Sequence, residues 1–150
     1  MTCSEKVCLY KEAVAFYELA ECGRNNIPNK KCTENYIPYI VNMSFCSELL
    51  LKMLLLEDGK CIGEVEKLSH NLKSLYNALN VEKKKMICEA FARPLIYNIE
   101  EEIEQVKKAF VEWRYLVLDK SKGNIKKLVV KPLFLKELNE VLLDICKNLI

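Results

Sequence analysis

The sequence predicts an all-α fold, with residues 1–150 forming a single bundle of five to six helices. Three observations lead to this prediction. Glycine and proline number only four each, whereas all-β folds need many turn residues. Apolar side chains recur at steps of three and four over long stretches, which is the helical period. A chain of 150 residues that is 51% hydrophobic and 29% charged suits one globular domain with a continuous core.

Charge and composition argue against several other classes of protein. The net charge is only +2, so no overall charge draws the chain to nucleic acid or to an anionic membrane. The first residues enter an amphipathic pattern without a signal-peptide core, and we therefore expect a cytoplasmic protein with reduced thiols. Eight cysteines without a Cys-x-x-Cys pair, together with a single histidine, predict small buried cysteines and neither a metal nor a cofactor.

The first helix is predicted from about Cys3 to Cys22. Thr2 and Glu5 fit a capping box at its start, and Gly23 is a suitable residue to end it. One face of this helix is predicted to be buried because its residues recur at three- and four-residue steps: Cys3, Val7, Tyr10, Val14 and Tyr17.

The second helix is predicted from Ile37 to Asp58, after a polar loop at residues 24–36, with Gly59 as its C-terminal breaker. Its length and apolar character would allow it to cross a membrane. Polar residues such as Glu48 and Lys52 would be costly in hydrocarbon. We therefore predict a buried central helix of a soluble bundle and no membrane span.

Two shorter helices are predicted next. Ser69 is expected to cap a helix that extends to about Leu79, and Asn80 to cap a helix from Val81 to about Ala92. The sequence Arg93-Pro94 is expected to end the latter, because the residue before a proline disfavours the helical conformation.

The most regular helical pattern lies between Leu95 and Asp119. The helix after it is predicted from about Leu133 to Leu149, and residues 120–131 between them are predicted to form a basic loop or a small hairpin at Gly123-Asn124. The long helix carries an apolar seam that alternates steps of four and three residues: Ile99, Ile103, Val106, Phe110, Trp113 and Val117.

A few polar residues on these apolar helices need partners. Glu48 and Lys52 are four residues apart and share a helix face. Arg114 follows the core residue Trp113, and we expect it to pair with Glu48 or to hold a phosphate in its planar guanidinium. We predict one polar cluster, which serves either as a ligand site or only to fix the packing of the helices: Glu48, Lys52, His70, Lys73, Glu112, Arg114 and Tyr115.

The segment from residue 120 to residue 136 contains no acidic side chain. Its lysines suit contacts to phosphate groups, but a solvated loop is the alternative, because aromatic residues for stacking are missing until Phe134. The candidate phosphate contacts are Lys120, Lys122, Lys126 and Lys127.

Three segments between residues 40 and 120 carry motifs in a recognisable order. Ser44–Leu55 is a small-residue helix with a Glu-Leu-x-x-Lys core. His70–Tyr76 is similar to a His-Asp-Leu-x-x-Leu-[Phe/Tyr] element, with Asn71 in place of the Asp. Phe110–Leu116 is similar to a Phe-Val-[Asp/Glu]-Trp-Arg-Tyr element. In these motifs and in their spacing the chain resembles bacterial HEPN-like domains.

The resemblance implies a helical bundle that commonly dimerises and that occurs in toxin–antitoxin, phage-defence and RNA-processing systems. Some such domains bind nucleotides or act only as scaffolds. The nuclease members carry Arg, four to six intervening residues and then His. Here the arginines are Arg24, Arg93 and Arg114, and the one histidine is His70, so the nuclease motif is absent.

Three functions stay open at this point. The first is a non-enzymatic HEPN-like module, dimeric, that binds a partner protein or a nucleotide or RNA ligand in a bacterial defence or toxin–antitoxin setting. The second is a divergent metal-independent ribonuclease, in which His70 takes the 2′-hydroxyl proton and Arg114 stabilises the phosphate. The third is a purely structural helical interaction protein.

Overall fold

The computed structural model describes residues 3–25, 36–91, 98–114 and 131–150, and every regular element in these ranges is an α-helix. The predicted all-α bundle is confirmed, but the described residues contain more helices than the five or six predicted. Thr2, Arg93-Pro94, Val117 and residues 120–130, on which further predictions rest, lie outside the described residues. The helices are α1 (Cys3–Asn25), α2 (Tyr36–Glu57), α3 (Ile62–Lys67), α4 (Leu72–Ala78), α5 (Val81–Ala90), α6 (Ile99–Val106), α7 (Ala109–Arg114) and α8 (Pro132–Lys147).

Helix α2 is the centre of the bundle. It packs against α1, α8, α7 and α4, because apolar side chains cover most of its circumference; Leu50, Leu51 and Leu54, for example, are completely buried. Within the described residues it is the one helix long and apolar enough to cross a membrane, and 72% of its most apolar stretch is buried inside the fold. The prediction of a buried central helix is confirmed.

Helix α1 lies along α2 on a face that differs in part from the predicted one. Ala13 and Ala20 are its most buried side chains, and their small size lets the two helix backbones approach closely. Tyr10 and Tyr17 of the predicted face are only partly buried. Gly23 does not end the helix, which continues to Asn25, because a glycine inside a helix weakens it without breaking it.

Of three further predicted boundaries, at Gly59, Ser69 and Asn80, two are confirmed and one is wrong. Gly59 has a φ of 86° and closes α2 with hydrogen bonds that are typical of a helix end, such as Lys60 N to Leu55 O at 3.2 Å. Asn80 caps α5 and accepts from Lys83 N at 2.8 Å. Helix α4 is capped by Asn71, which accepts from Ser74 N at 3.1 Å, and not by Ser69.

The long helix predicted from Leu95 to Asp119 is divided into α6 and α7 by a turn at residues 107–108. The carbonyl of Lys107 accepts a hydrogen bond of 2.9 Å from Leu72 N, at the start of α4. This carbonyl therefore satisfies one of the unpaired amides that every helix start has. The apolar seam itself is confirmed, since its described members are all buried: Ile99, Ile103, Val106, Phe110 and Trp113.

The prediction that the cysteines are buried is wrong for four of them. The six cysteines whose side chains the structure describes are free thiols; of these, Cys46 and Cys146 are buried and the other four are exposed. Burial raises the pKa of both buried thiols, that of Cys146 to about 12, because desolvation disfavours the thiolate. The exposed thiols are Cys8, Cys22, Cys61 and Cys88.

Candidate ligand site around His70

The site begins with a carboxylate inside the bundle. Glu48 on α2 is 1% exposed, and Lys52, one helical turn further along, donates a hydrogen bond of 2.7 Å from Nζ to its Oε1. An isolated charge at this depth would be costly, and the ammonium group offsets part of that cost. The pair predicted from the four-residue spacing is confirmed.

His70 is the second partner of this carboxylate. Its Nδ1 lies 2.9 Å from Oε2 and 3.0 Å from Oε1 of Glu48. The histidine side chain is 44% exposed, so one edge of the ring lies against the buried carboxylate and part of the ring reaches solvent. The sequence predicts Arg114 as the partner of Glu48, but the contacts of Glu48 in the structure are with Lys52 and His70. The turn between α3 and α4, which packs against α2, supplies the histidine.

The backbone on both sides of His70 is tightly constrained. Ser69 has a φ of 54°, the left-handed region that a residue with a Cβ adopts only at a cost of about 1 kcal/mol or more. Ser69 N donates to Glu66 O at 2.9 Å, and Asn71 caps α4 immediately after the histidine. The turn therefore holds His70 in one position above Glu48.

An aromatic stack supports the imidazole from the side of α7. The ring of Phe110 lies 4.9 Å from the ring of His70, centroid to centroid, with an interplanar angle of 40°. Phe45 of α2 stacks on Phe110 at 4.9 Å and 22°, and Phe16 of α1 meets Phe45 edge-on at 4.6 Å. Such rings are rigid and well packed. The imidazole therefore packs against a row of aromatic rings that come from α7, α2 and α1.

Arg114 contacts the same phenylalanine ring. Its Cζ lies 5.6 Å from the Phe110 centroid, within the range of a cation–π interaction. Arg114 is the last residue of α7 and is exposed. His70 and Arg114, 44 positions apart in the sequence, are thus brought together through one ring. The sequence analysis assigned Phe110 to the core seam and to the Phe110–Leu116 motif, but to no contact with Arg114. The spacing of four residues between Phe110 and Arg114 was the available signal for this contact.

The other predicted site residues are placed differently. Lys73 is tied to α6, where its Nζ donates to Glu100 O at 3.1 Å and to Glu100 Oε2 at 3.4 Å. Glu112 lies on α7 and is partly buried. The predicted residues that fall outside the described part of the chain are Tyr115, Lys120, Lys122, Lys126 and Lys127.

The exposed part of the site favours anions. The charge of Glu48 lies inside the protein and is paired with Lys52, so it does not face solvent. Arg114 faces solvent, and Lys108, in the turn immediately before α7, is also exposed. Among the residues that the structure describes, no group of three or more His, Cys, Asp or Glu side chains is arranged to hold a metal ion.

No protein-family model matches the chain, and no curated protein or solved structure matches it. The likeness to HEPN-like domains therefore stays a prediction from sequence motifs.

Proposed function

We propose that this chain is a non-enzymatic, HEPN-like binding module for a phosphate-bearing ligand, either a nucleotide or a short RNA. The contact of both His70 and Arg114 with the Phe110 ring carries the proposal. A guanidinium binds phosphate with two parallel hydrogen bonds, and an imidazole that packs on the same phenylalanine ring offers a polar contact to another group of the ligand. Both side chains are supported by packing and partly open to solvent, as a ligand site requires.

Binding is favoured over catalysis by the chemistry of the site. Cleavage of RNA needs a base, a group that stabilises the crowded phosphate and an acid for the leaving oxygen. Among the described residues, His70 and Arg114 match the first two requirements. The Glu48 carboxylate is sealed inside and already paired, so it is poorly placed to serve as the acid.

The cellular setting is part of the same proposal and rests on the motif resemblance. We place the module in the cytoplasm, as a homodimer or with a partner protein, in a bacterial defence or toxin–antitoxin system. Large apolar side chains at the surface, such as Leu133 at 63% exposure and Leu19 at 59%, are compatible with a contact between chains. Light scattering across a range of concentrations tests this part, and a strictly monomeric protein would contradict the homodimer.

Binding of adenosine monophosphate and of a short fluorescent single-stranded RNA tests the ligand, by thermal shift and by anisotropy. Arg114→Ala is expected to weaken binding by at least about tenfold, the effect of losing one charge-assisted contact. Arg24→Ala is the matched control, because Arg24 is also an exposed arginine near a helix end and its Nη1 lies 3.7 Å from Glu21 Oε1. Absence of binding by the unmodified protein, or an equal loss in the control, would reject the proposal.

A divergent ribonuclease is the second candidate. The observation that favours it is the contact of Nδ1 of a half-exposed histidine with a buried carboxylate, an arrangement that orients the other ring nitrogen as a base. This candidate requires that the purified protein cleaves RNA and that His70→Ala abolishes cleavage with the helical circular-dichroism spectrum unchanged. A protein that neither cleaves nor binds but still associates would instead be the purely structural alternative.

A further inference from the structure

Beneath His70, the buried pair on α2 has the geometry to control which ring nitrogen carries the proton. We infer that Glu48, supported by Lys52, is a positioning residue that fixes His70 as its Nδ1–H tautomer. His70 then presents Nε2 to the ligand as a hydrogen-bond acceptor. The inference rests on the proposed function, in which His70 touches the ligand, and it adds a chemical requirement: the ligand must carry a donor opposite Nε2.

The first step is the chemistry of the carboxylate. An ionised carboxylate accepts hydrogen bonds and donates none. Lys52 offers only donors, so its contact of 2.7 Å uses Oε1 of Glu48 as an acceptor. The His70 nitrogen that faces this group, at 2.9 Å and 3.0 Å from its two oxygens, must therefore carry a hydrogen. In a neutral imidazole the other nitrogen then has the lone pair.

The second step is the direction of the exposed edge. Exposure of the side chains rises from 1% at Glu48 to 22% at Lys52 and 44% at His70. Because the Nδ1 edge of the ring is directed at the most buried of these groups, the exposed part of the ring includes the opposite edge, with Nε2. Phe110 packs on the imidazole, and the left-handed backbone at Ser69 restrains the turn, so the ring is held in this orientation.

The third step concerns the ligand. Arg114 has only donors and suits phosphate oxygens, whereas Nε2 of the neutral ring suits a hydroxyl or an amino group. A ligand that matches both residues carries a phosphate and a hydrogen-bond donor on the same molecule. A phosphate diester without a neighbouring donor would leave Nε2 without a hydrogen bond inside the complex, which costs affinity.

The single histidine of the chain allows a direct test that needs no ligand. In protein labelled with ¹⁵N-histidine, two-dimensional NMR in alkaline buffer shows which ring nitrogen of the neutral imidazole is protonated. We expect the Nδ1–H tautomer. The opposite tautomer, with the proton on Nε2, would overturn the inference whether or not the protein binds adenosine monophosphate. The result is therefore separate from the fate of the proposed function.

Glu48→Gln sharpens the test because it reverses the expected result. Lys52 can donate only to the amide oxygen of the new side chain, so the amide NH₂ faces Nδ1 and makes it an acceptor. The proton then moves to Nε2, and binding of adenosine monophosphate falls by about tenfold, because a donor now faces the ligand's donor. An unchanged tautomer in a folded Glu48→Gln protein would contradict the inference.

Two further variants serve as controls. Glu100→Gln removes the charge of an exposed glutamate that contacts Lys73 and should leave the tautomer unchanged. Lys85→Met removes the charge of an exposed lysine that pairs with Glu89 at the surface and should also leave the tautomer unchanged. If Glu48→Gln does not fold, the spectrum of the unmodified protein still decides the question.

Discussion

Helix α2 carries two polar clusters, one closed and one open. The closed cluster consists of Ser47 and Asn139, whose side chains are both completely buried. Ser47 Oγ lies 2.7 Å from Asn139 Oδ1, and Asn139 Nδ2 donates to the carbonyl of Met43 at 2.9 Å. The open cluster consists of Glu48, Lys52 and His70, and it ends in a side chain that is 44% exposed. Ser47 and Glu48 are consecutive residues, about 100° apart around the helix, and so they face different neighbours.

The difference shows how polar groups in one helix can serve two purposes. In the closed cluster the serine hydroxyl and the asparagine amide satisfy each other and one backbone carbonyl, so this cluster fixes how α8 lies against α2. In the open cluster the ring of His70 extends to the surface, where it can contact a ligand. Substitutions in the closed cluster should therefore affect stability most, and those at the open end should affect binding most.

The largest effect on stability is expected for Asn139→Ala. It removes hydrogen bonds to Ser47 and to the Met43 carbonyl, leaves the Ser47 hydroxyl with only its contact of 3.1 Å to that carbonyl and opens a small cavity. Together these should lower the free energy of unfolding by about 2–4 kcal/mol. Urea denaturation followed by circular dichroism measures the loss.

The matched control for this substitution is Asn77→Ala, because Asn77 lies on α4 with an exposed side chain. It should change the free energy of unfolding by less than about 0.5 kcal/mol. If the two alanine variants were equally stable, the description of the closed cluster as a structural device would be wrong.

The next largest effect is expected at the inner end of the open cluster. Lys52→Met keeps an unbranched apolar side chain but removes the ammonium that pairs with the buried Glu48. The remaining contact with His70 compensates in part, so we expect a loss of about 1–3 kcal/mol. Lys85→Met is the control, because the Lys85–Glu89 pair has the same spacing at the surface and should contribute little. Equal losses in the two variants would show that burial of Glu48 is unimportant.

Two buried thiols, on α2 and α8, predict that the protein loses stability in alkaline solution. Burial raises the pKa of Cys146 on α8 from 9.0 to about 12, and it raises the pKa of Cys46 on α2 as well. The unfolded thiols ionise near pH 9 and the folded ones do not. The free energy of unfolding should therefore be unaffected below pH 9 and fall as the pH rises toward 12. By pH 10 each thiol should lower the free energy of unfolding by about 1 kcal/mol.

Cys146→Ala provides the comparison for the alkaline effect. It should lower stability at neutral pH but give a shallower decline between pH 9 and pH 10.5, measured by urea denaturation at each pH. Replacing the exposed Cys88 should leave the decline unchanged. An identical slope in Cys146→Ala and in the unmodified protein would mean that this thiol is accessible to solvent in the folded state.

The features that local pattern predicts well are those confined to one helix. Periodicity identified the buried seam through Phe110 and Trp113, and the four-residue spacing identified the Glu48–Lys52 pair. Both follow from helix geometry alone. The boundaries at Gly59 and Asn80 were also predictable, because a left-handed glycine and an asparagine cap act on the backbone next to them.

The features that pattern missed depend on which segments pack together. The sequence places Glu48 and His70 in one predicted cluster but names Arg114 as the partner of Glu48. The contact of Glu48 with His70, 22 residues away, follows from packing, as does that of Ser47 with Asn139, 92 residues away. Neither distance has a local signature. The division of the long helix between α6 and α7 likewise accompanies a contact between Lys107 and the start of α4. Helix propensity cannot report such a contact, because tertiary packing overrides it.

The smallest effect on stability, and the largest on binding, is expected at the outer end of the open cluster. His70→Ala removes a half-exposed ring and one of the two partners of Glu48 but leaves Lys52 in place, so the free energy of unfolding should change by less than about 1 kcal/mol. Binding of adenosine monophosphate should fall by at least about tenfold. Paired urea denaturation and thermal-shift titrations on this variant and on Asn139→Ala compare the two clusters directly. A His70→Ala protein that is as destabilised as Asn139→Ala, and that binds normally once folded, would make the open cluster a structural element like the closed one.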